Sequence, residues 1–439
     1  MTDPMAPYAE HMLSMMQRME RDAAAAPLVE SPHAGAGPAV RGAVEDRVAA
    51  LETELVDLSH DIHAHPELMF EEHHAVAAVA RVLAAHGHDA EVGAYGLPTA
   101  LRARAGSGRP RVAILAEYDA LPGIGHACGH NVICTTAVGA FLALAPLVAD
   151  LGGSIELIGA PAEEGGGGKE LIARAGGFDE VDAAVMIHPA GFDAAVHPWL
   201  GLRTVDVVYR GHAAHASAMP FLGRNALDAV VAAYTDVAAL RQHMLDSDRV
   251  HGVITDGGKR PNIVPERAAA QFLVRSSEPE TLKVLCQKVQ AVMDAAALAT
   301  GTVAEVTWDP APAYLPVRNN IALASRWAVN VAPAGRRALP MGVIPPTLTG
   351  STDLGNVSVR IPAIQPMLAI APGLVVIHTE EFARHAVSAA ADRGCLEGSV
   401  GLALTSADFL VDEDLRRAVA GEFAAAGGVL DMAGVLGSG

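Results

Sequence analysis

Residues 111–131 read RVAILAEYDALPGIGHACGHN, and this stretch decides the fold class of the 439-residue chain. Its first part is mostly apolar and is followed by a Leu-Pro-Gly turn, which is the pattern of a buried strand in a parallel sheet. Residues 154–160 and 181–187 have the same apolar character, and helix-length segments lie between these runs. Because strands and helices alternate, the sequence predicts an α/β domain with a mostly parallel sheet covered by helices.

The stretch 202–310 has a different order of elements, which reads strand, helix, strand, strand, helix, strand. This order predicts a small α+β sandwich inserted into the first domain. We therefore expect a discontinuous main domain, residues 44–201 and 311–439, interrupted by the inserted domain. Residues 1–43, rich in Met, Ala, Pro and Gly, are expected to form an N-terminal arm or tail. That arm is either a flexible extension or contains a short helix that packs on a partner subunit.

Composition and charge exclude several classes of function. The chain carries 31 Lys and Arg residues against 50 Asp and Glu residues, and this net charge of −19 repels nucleic acid and anionic membrane surfaces. Every apolar run reads as shorter or more interrupted than the about 20 residues that a membrane helix needs, so no membrane partner is expected. The N-terminus lacks the order of a secretion signal, and the four cysteines show no paired spacing. We therefore expect free thiols and a cytoplasmic location.

The ends of the predicted strands carry the residues most suited to chemistry, because ligands of open parallel sheets bind there. Cys128 and His130 follow the first strand, and alternate residues of an extended segment point the same way, so both can bind one metal ion. Asn131 is placed to cap the following helix. A single Cys or His in such a place is usually structural, but His126, Cys128 and His130 within five residues favour a metal site.

Further candidates follow the next two strands. Glu163 and Glu164 come after the second strand and precede four glycines, and His188 comes after the third. Adjacent carboxylates usually mark a solvated turn, and a histidine at a strand end is usually not a ligand. Beside metal ligands, however, one carboxylate can bind a cation while its neighbour takes a proton from water. A phosphate-binding loop is excluded because the first Gly and the Ser or Thr of that motif are absent.

With these residues in place, the sequence resembles the aminoacylase and amidohydrolase metallopeptidases, in particular the branch with p-aminobenzoyl-glutamate hydrolase and Xaa-Arg dipeptidase-like proteins. Hippurate hydrolase and auxin-conjugate hydrolases belong to the same family. The likeness covers about residues 44–425. It rests on motifs that occur in the family's order: AEYDALPGIGHACGHN (116–131), GAPAEEGGGGKELI (159–172), MIHP (186–189), GHAAHASAMPFLGRNALDA (211–229), RPNIVPE (260–266), GSTDLGNVS (350–358) and HTEEF (378–382).

The resemblance implies a metal-dependent amidohydrolase or peptidase. Such an enzyme cleaves the amide bond of an N-acyl amino acid, an aminobenzoyl-glutamate-like conjugate or a dipeptide with metal-activated water. The resemblance also implies two divalent metal ions, zinc with manganese or cobalt as alternatives, in the main domain, which becomes the catalytic domain. Their expected ligands are Cys128, His130, Glu164, His188 and His378, with Cys128 as the bridge. Glu163 is expected to act as general base and acid.

The resemblance makes the inserted segment a lid and dimerisation domain, so we expect a homodimer that acts on a small-molecule amide or dipeptide. His215 is then expected to reach the neighbouring subunit's site and stabilise the oxyanion. Asn262 and Gly350 lie in motifs that line the family's substrate pocket. Arg275 is either a partner for a substrate carboxylate or an ordinary surface arginine.

Two positions depart from the family pattern. Asn131 stands where many relatives have Asp, so a hydrogen bond to a ligand is altered or lost there. Gln365 stands where close relatives often have His. The alternative functions are a catalytically silent binding or regulatory subunit, and one half of a two-subunit hydrolase that requires a partner chain.

Overall fold

The computed structural model describes residues 5–344, 349–373 and 375–436. The chain forms two compact units. The first unit consists of three stretches of the chain, residues 1–197, 318–345 and 356–430. The second unit consists of residues 198–317, 346–355 and 431–439. The second unit therefore extends a few residues beyond each end of the expected insertion 202–310, and it also takes in two later stretches.

The elements alternate along the first 197 residues. Helices span Ala6–Ala25 (α1), Pro38–Ala50 (α2), Glu52–Ala64 (α3), His73–Ala85 (α4), His130–Leu144 (α5), Val148–Leu151 (α6) and Gly168–Arg174 (α7). Strands span Ala90–Val92 (β1), Leu101–Gly106 (β2), Arg111–Glu117 (β3), Ser154–Ala160 (β4), Ala183–Val185 (β5) and His188–Ala190 (β6).

The next elements are, in chain order, Gly201–Arg210 (β7), Ala226–Leu240 (α8), Arg249–Asp256 (β8), Arg267–Ser276 (β9), Pro279–Thr300 (α9) and Val303–Trp308 (β10). The remaining ones are Ile321–Val331 (α10), Leu354–Ser358 (α11), Ala363–Ile364 (β11), Met367–Ala369 (β12), Glu380–His385 (α12), Ala389–Val411 (α13), Glu413–Ala425 (α14) and Met432–Leu436 (α15). Short 3-10 turns lie at Ala94–Gly96, Ala145–Leu147, Pro220–Leu222, Arg241–His243 and Ala332–Ala334.

The main sheet of the first unit has the strand order β1-β2-β4-β3-β5-β11. Strands β4, β3, β5 and β11 run parallel, whereas β1 and β2 add an antiparallel edge. β3 and β4 are apolar and almost entirely buried, as expected for parallel strands covered on both faces. The predicted α/β class with a mostly parallel sheet is therefore confirmed.

The second unit contains an antiparallel sheet of order β10-β7-β9-β8. Residues of β7 alternate between buried and half-buried, so one face of the sheet meets a core and the other does not. The core consists of apolar side chains from these strands and from α8 and α9. This arrangement confirms the predicted α+β sandwich.

Two helical segments of the first unit contradict the expectation that every apolar run is too short to cross a membrane. His130–Leu151 and Ala389–Val411 are long and apolar enough by length and composition. However, 78% of each apolar window is buried inside the protein. We therefore interpret both segments as core helices, and α5 and α13 indeed pack against each other.

The N-terminal arm is held by hydrogen bonds. The predicted helix within it is present as α1, and α2 already begins at Pro38. Between them, the Asp408 carboxylate accepts a hydrogen bond from the Ala36 N–H at 2.7 Å and the Arg326 guanidinium donates to the His33 carbonyl oxygen at 2.6 Å. Gly35 has a φ of +65°, and a Cβ there would collide with Asp408. Residues 33–36 are thus fixed by a buried ion pair between Arg326 and Asp408.

Replacing Asp408 with Ala should destabilise the first unit. The Arg326 guanidinium, 5% exposed, would lose its counter-charge, so we expect the free energy of unfolding to fall by about 3–5 kcal/mol. Urea-induced unfolding followed by circular dichroism measures the change. Asp414→Ala, which removes an exposed ion pair with Arg417, serves as the control and should cost less than about 1 kcal/mol. Equal losses in the two variants would contradict the assignment.

Candidate metal centre

The candidate ligands lie at the carboxyl ends of adjacent parallel strands. Cys128 and His130 follow β3, Glu164 follows β4, and His188 follows β5. Since β4, β3 and β5 are neighbours in the sheet, their carboxyl ends meet at one edge. Gly129, with a φ of +74°, lets the chain turn from Cys128 into α5, and a Cβ there would lie 3.0 Å from the Pro189 ring.

Two groups of metal-ligating atoms share the Cys128 thiol. The first group is Cys128, His130 and His188, and the second is Cys128, Glu164 and His378. Within each group, the ligand atoms lie within 4.8 Å of one another. Sγ of Cys128 lies 3.1 Å from Nε2 of His378 and 3.8 Å from Nε2 of His188. The structure thus brings together all the residues predicted as metal ligands, and it places Cys128 where a thiolate can bridge two ions.

A third group contains Glu163, the predicted general base, with Glu117 and His130. One carboxylate oxygen of Glu163 lies 3.9 Å from Nε2 of His130, and one of Glu117 lies 3.6 Å from the same nitrogen. The other oxygen of Glu117 receives the ammonium group of Lys169, and both of these side chains are fully buried. Glu117 was not predicted, because a carboxylate inside an apolar strand gives no sequence signal for a ligand.

The polar atoms around this point fit a bound cation. Within the described part of the chain, Nε2 of His130, Oε1 of Glu164 and Oε2 of Glu117 are buried and have no hydrogen-bond partner. Burying polar atoms in this way is costly unless a partner satisfies them. Thiolate, imidazole and carboxylate are also the donor types that zinc and similar ions bind. The residues present therefore fit divalent metal ions.

The protonation of two ligands depends on such a cation. Burial lowers the pKa of His188 to about 4, and its Nδ1–H donates to the Pro189 carbonyl oxygen at 2.8 Å. His188 is therefore neutral, with the lone pair of Nε2 available to a metal. Burial and the Glu164 carboxylate raise the pKa of the Cys128 thiol well above its usual value. A nearby cation reverses this effect and favours the thiolate.

Asp119 connects two of the ligand segments, and the sequence reasoning gave it no role. Its carboxylate accepts a hydrogen bond from Nδ1 of His130 at 2.8 Å and another from the backbone N–H of Glu164 at 2.9 Å. Burial alone would raise the pKa of Asp119, but the charge and hydrogen bond of His130 outweigh it and the pKa is lowered. A carboxylate behind a metal-binding histidine fixes the ring and its tautomer. The place of Asp119, just after a buried strand and before the ligand motif, is the signal that could have found it.

Glu72 supports the loop that carries Glu163. Its buried carboxylate accepts hydrogen bonds from the N–H groups of Ala162 at 2.8 Å and Phe70 at 2.9 Å, and from Oγ1 of Thr99 at 2.6 Å. Ala162 and Phe70 both have a positive φ, +58° and +65°, which is strained for residues other than glycine. Burial raises the pKa of Glu72. Glu72 therefore holds the residue before Glu163 in a conformation that the backbone would not adopt by itself.

His378 arrives from a different part of the chain. Its backbone is also strained, with a φ of +64°, and its N–H donates to the Ala127 carbonyl oxygen at 2.9 Å. Thr379 caps α12 by accepting a hydrogen bond from the Phe382 N–H at 3.2 Å, and Phe382 is fully buried. These contacts fix His378 beside the Cys128 segment.

The two departures from the family pattern have different settings. The Asn131 amide donates to Oγ of Ser59 at 2.9 Å and to the Ala386 carbonyl oxygen at 2.8 Å. Asn131 lies inside the first turn of α5, whose N-cap is Gly129, so the prediction that Asn131 caps this helix is wrong. Gln365 is fully buried, and its amide has no hydrogen-bond partner among the described residues.

The other predicted site residues belong to the second unit. The segments of His215 and Asn262 lie together, since the Ala216 N–H donates to the Asn262 carbonyl oxygen at 3.1 Å. Nη1 of Arg275 donates to Oγ of Ser351 at 3.0 Å, which places Arg275 beside the Gly350 segment. Arg275 also lines a cavity of about 280 Å³ with Arg249, His251, Ser247, Leu200 and Thr349. Burial lowers the pKa of the Arg275 guanidinium.

Comparison with known proteins gives close relatives. The family model of the M20 peptidase dimerisation domain matches residues 200–301. Xaa-Arg dipeptidase of Mus musculus is 36% identical over 420 residues, which cover 90% of this chain and 96% of that protein. One of the p-aminobenzoyl-glutamate hydrolase chains of Escherichia coli is 30% identical over 447 residues, which cover 85% of this chain and 92% of that protein.

Solved structures share the fold. A dinuclear metal-binding peptidase of the M20 family from Bacillus subtilis superimposes with a TM-score of 0.57 at 22% sequence identity. The alignment covers 80% of this chain and 98% of that one.

Replacing Asp119 with Ala should weaken metal binding. The His130 ring and the Glu164 backbone would both lose their common acceptor, so we expect the affinity for Zn²⁺ to fall about 10–100-fold. Competition with a chromophoric chelator measures this affinity. Asp150→Ala, an exposed carboxylate on α6, is the control and should bind Zn²⁺ as the unchanged chain does. Unchanged affinity in Asp119→Ala would show that this carboxylate does not position the ligands.

Proposed function

The chain belongs to the M20 peptidase family and is a hydrolase of amide bonds, and we propose that it uses two divalent metal ions to cleave a small amide substrate. The proposed substrates are an N-acyl amino acid, an aminobenzoyl-glutamate-like conjugate or a dipeptide. Zinc is the proposed metal, with manganese or cobalt as alternatives. The observation that carries the proposal is the pair of ligand groups that share Cys128.

The metal ions would be held by Cys128, His130 and His188 on one side and by Cys128, Glu164 and His378 on the other. When bound, they would lower the pKa of a shared water to about neutral and polarise the substrate carbonyl. Every further step belongs to side chains of the protein.

Glu163 is proposed to move the proton. Its carboxylate adjoins His130 and the Glu164 ligand, and its side chain is only 7% exposed. It takes a proton from the attacking water as the C–O bond forms, and it delivers that proton to the leaving nitrogen as the C–N bond breaks. The products are a carboxylic acid and an amine.

His215 is proposed to stabilise the oxyanion in the site of a partner subunit. Its Nδ1 accepts a hydrogen bond from the Ala218 N–H at 3.2 Å, so the ring proton of the neutral histidine is on Nε2. An exposed Nε2–H can donate to a developing negative charge. The match of residues 200–301 to a peptidase dimerisation domain supports a homodimer formed through the second unit.

Arg275, with Asn262 and Gly350 as further pocket residues, is proposed to recognise the substrate. Both named relatives point to substrates with a free carboxylate, since a dipeptide ending in Arg and a glutamate conjugate each carry one. Arg275 lines a cavity with Arg249 and His251, and its Nε is buried without a hydrogen-bond partner among the described residues. A carboxylate is the group that an arginine binds best.

A reducing compartment such as the cytoplasm is the proposed location, because oxidation would consume the Cys128 thiolate. All four cysteines are free and buried.

Replacing Glu163 with Gln should stop turnover without removing the metal. We expect kcat to fall about 10²–10⁴-fold, the usual effect of losing a general base. Metal analysis and kinetics with N-acyl amino acids and dipeptides measure both properties. Glu164→Gln is the matched comparison, because it should lose metal as well as activity. Full activity in Glu163→Gln would remove this residue from the mechanism, and activity only in the presence of a second chain would favour a two-subunit hydrolase.

Replacing Arg275 with Met should weaken recognition of the substrate carboxylate. We expect kcat/KM for a free-acid substrate to fall about 10–100-fold, the effect of a hydrogen bond to a charged group. The carboxamide of the same substrate should lose much less. Arg267→Met, at the start of β9, is the control. Equal losses for the acid and the amide would place Arg275 outside carboxylate recognition.

A further inference from the structure

Three metal-ligating side chains meet at the surface of the first unit, and none of them belongs to the groups around Cys128. Asp61 lies in the last turn of α3, His65 directly follows α3, and His74 lies in the first turn of α4. Their ligand atoms lie within 4.8 Å of one another. We infer that Asp61, His65 and His74 form a further cation site, which binds Zn²⁺ independently of the centre around Cys128. We call it the α3–α4 site.

The separations of the ligand atoms fit a tetrahedral zinc ion. Zinc bound by nitrogen and oxygen at about 2.0–2.2 Å keeps its ligand atoms about 3.3–3.6 Å apart. Oδ2 of Asp61 lies 2.9 Å from Nε2 of His74, and Oδ1 of Asp61 lies 3.2 Å from Nδ1 of His65. Small side-chain rotations therefore admit an ion between the three residues.

Both histidines are held in place by other contacts. The Glu67 carboxylate accepts hydrogen bonds from the N–H groups of His74, at 2.8 and 2.9 Å, and of Ala75, at 3.0 Å. Nδ1 of His65 lies 2.8 Å from the Asp61 carbonyl oxygen, and the ring centroids of His65 and His74 are 4.1 Å apart. The site is thus preformed, which lowers the ordering cost of binding.

The donor set selects the type of cation. Two imidazoles with one carboxylate suit Zn²⁺, whereas Mg²⁺ and Ca²⁺ require mainly oxygen ligands. The His65 side chain is 54% exposed, so solvent can supply the remaining ligand. The Arg81 guanidinium lies 4.0 Å from Asp61 and opposes a cation there, but it is 66% exposed and can turn into solvent.

The alternative is that these contacts are only hydrogen bonds and ion pairs of Asp61 with His65 and His74. Such a cluster needs no ion and would show no preference for Zn²⁺. Counting bound ions separates the two cases.

A bound ion would also brace the segment 66–72, which connects α3 to α4. The Glu67 carbonyl oxygen accepts a hydrogen bond from the Ala120 N–H at 2.8 Å, next to Asp119. Glu72, at the other end of the segment, holds Ala162 next to Glu163. Zinc at the α3–α4 site would therefore reduce the opening of a segment that supports the metal centre.

The test is a Zn²⁺ titration of the full chain after the centre around Cys128 has been loaded. The unchanged chain should bind one more Zn²⁺ per chain than His74→Gln, and in His65→Gln the extra site should be at least about tenfold weaker. His73→Gln is the matched control, because this neighbouring histidine is exposed and contacts Glu71 instead. Added Zn²⁺ should slow hydrogen exchange across residues 66–72 in the unchanged chain and in His73→Gln only.

Equal Zn²⁺ stoichiometry and equal exchange in the unchanged chain and His74→Gln would overturn the inference. Because the titration counts ions and does not measure turnover, its result is independent of the proposed hydrolase activity.

Discussion

The structure depends on one constraint, which is that buried polar atoms around Cys128 must be satisfied. Nε2 of His130, Oε1 of Glu164 and Oε2 of Glu117 are removed from water and have no hydrogen-bond partner among the described residues. Leaving such atoms unsatisfied costs on the order of 1–3 kcal/mol each. A cation removes this cost and also stabilises the Cys128 thiolate. Metal binding and the folded arrangement of the sheet edge are therefore coupled.

The scaffold around the centre explains how the ligands are held before an ion binds. Two buried carboxylates perform this task, Asp119 behind His130 and Glu164, and Glu72 behind Ala162. The strained backbone at Ala162 and His378 persists because these hydrogen bonds and the surrounding packing determine it. The centre thus combines a rigid sheet edge with loops that are fixed by side chains from distant parts of the sequence.

The sequence predicted what local patterns control. The apolar runs of β3 and β4 and the order of elements in the second unit gave the fold class, and strand ends gave Cys128, His130, Glu164 and His188. Asp119 and Glu72 could not be assigned, because their roles come from hydrogen bonds between separated segments. The stretches 346–355 and 431–439 were not expected in the second unit, since no local pattern shows where a chain returns. Asn131 was misplaced because Gly129 takes the N-cap of α5.

Anomalous diffraction from metal-loaded crystals, recorded at the absorption edge of the bound metal, tests the central claim most directly. The account predicts two peaks about 3.5–4 Å apart, both bonded to Sγ of Cys128 at about 2.3 Å. One peak should contact His130 and His188, and the other should contact Glu164 and His378. A single peak, or two peaks without a bond to Cys128, would contradict the shared centre.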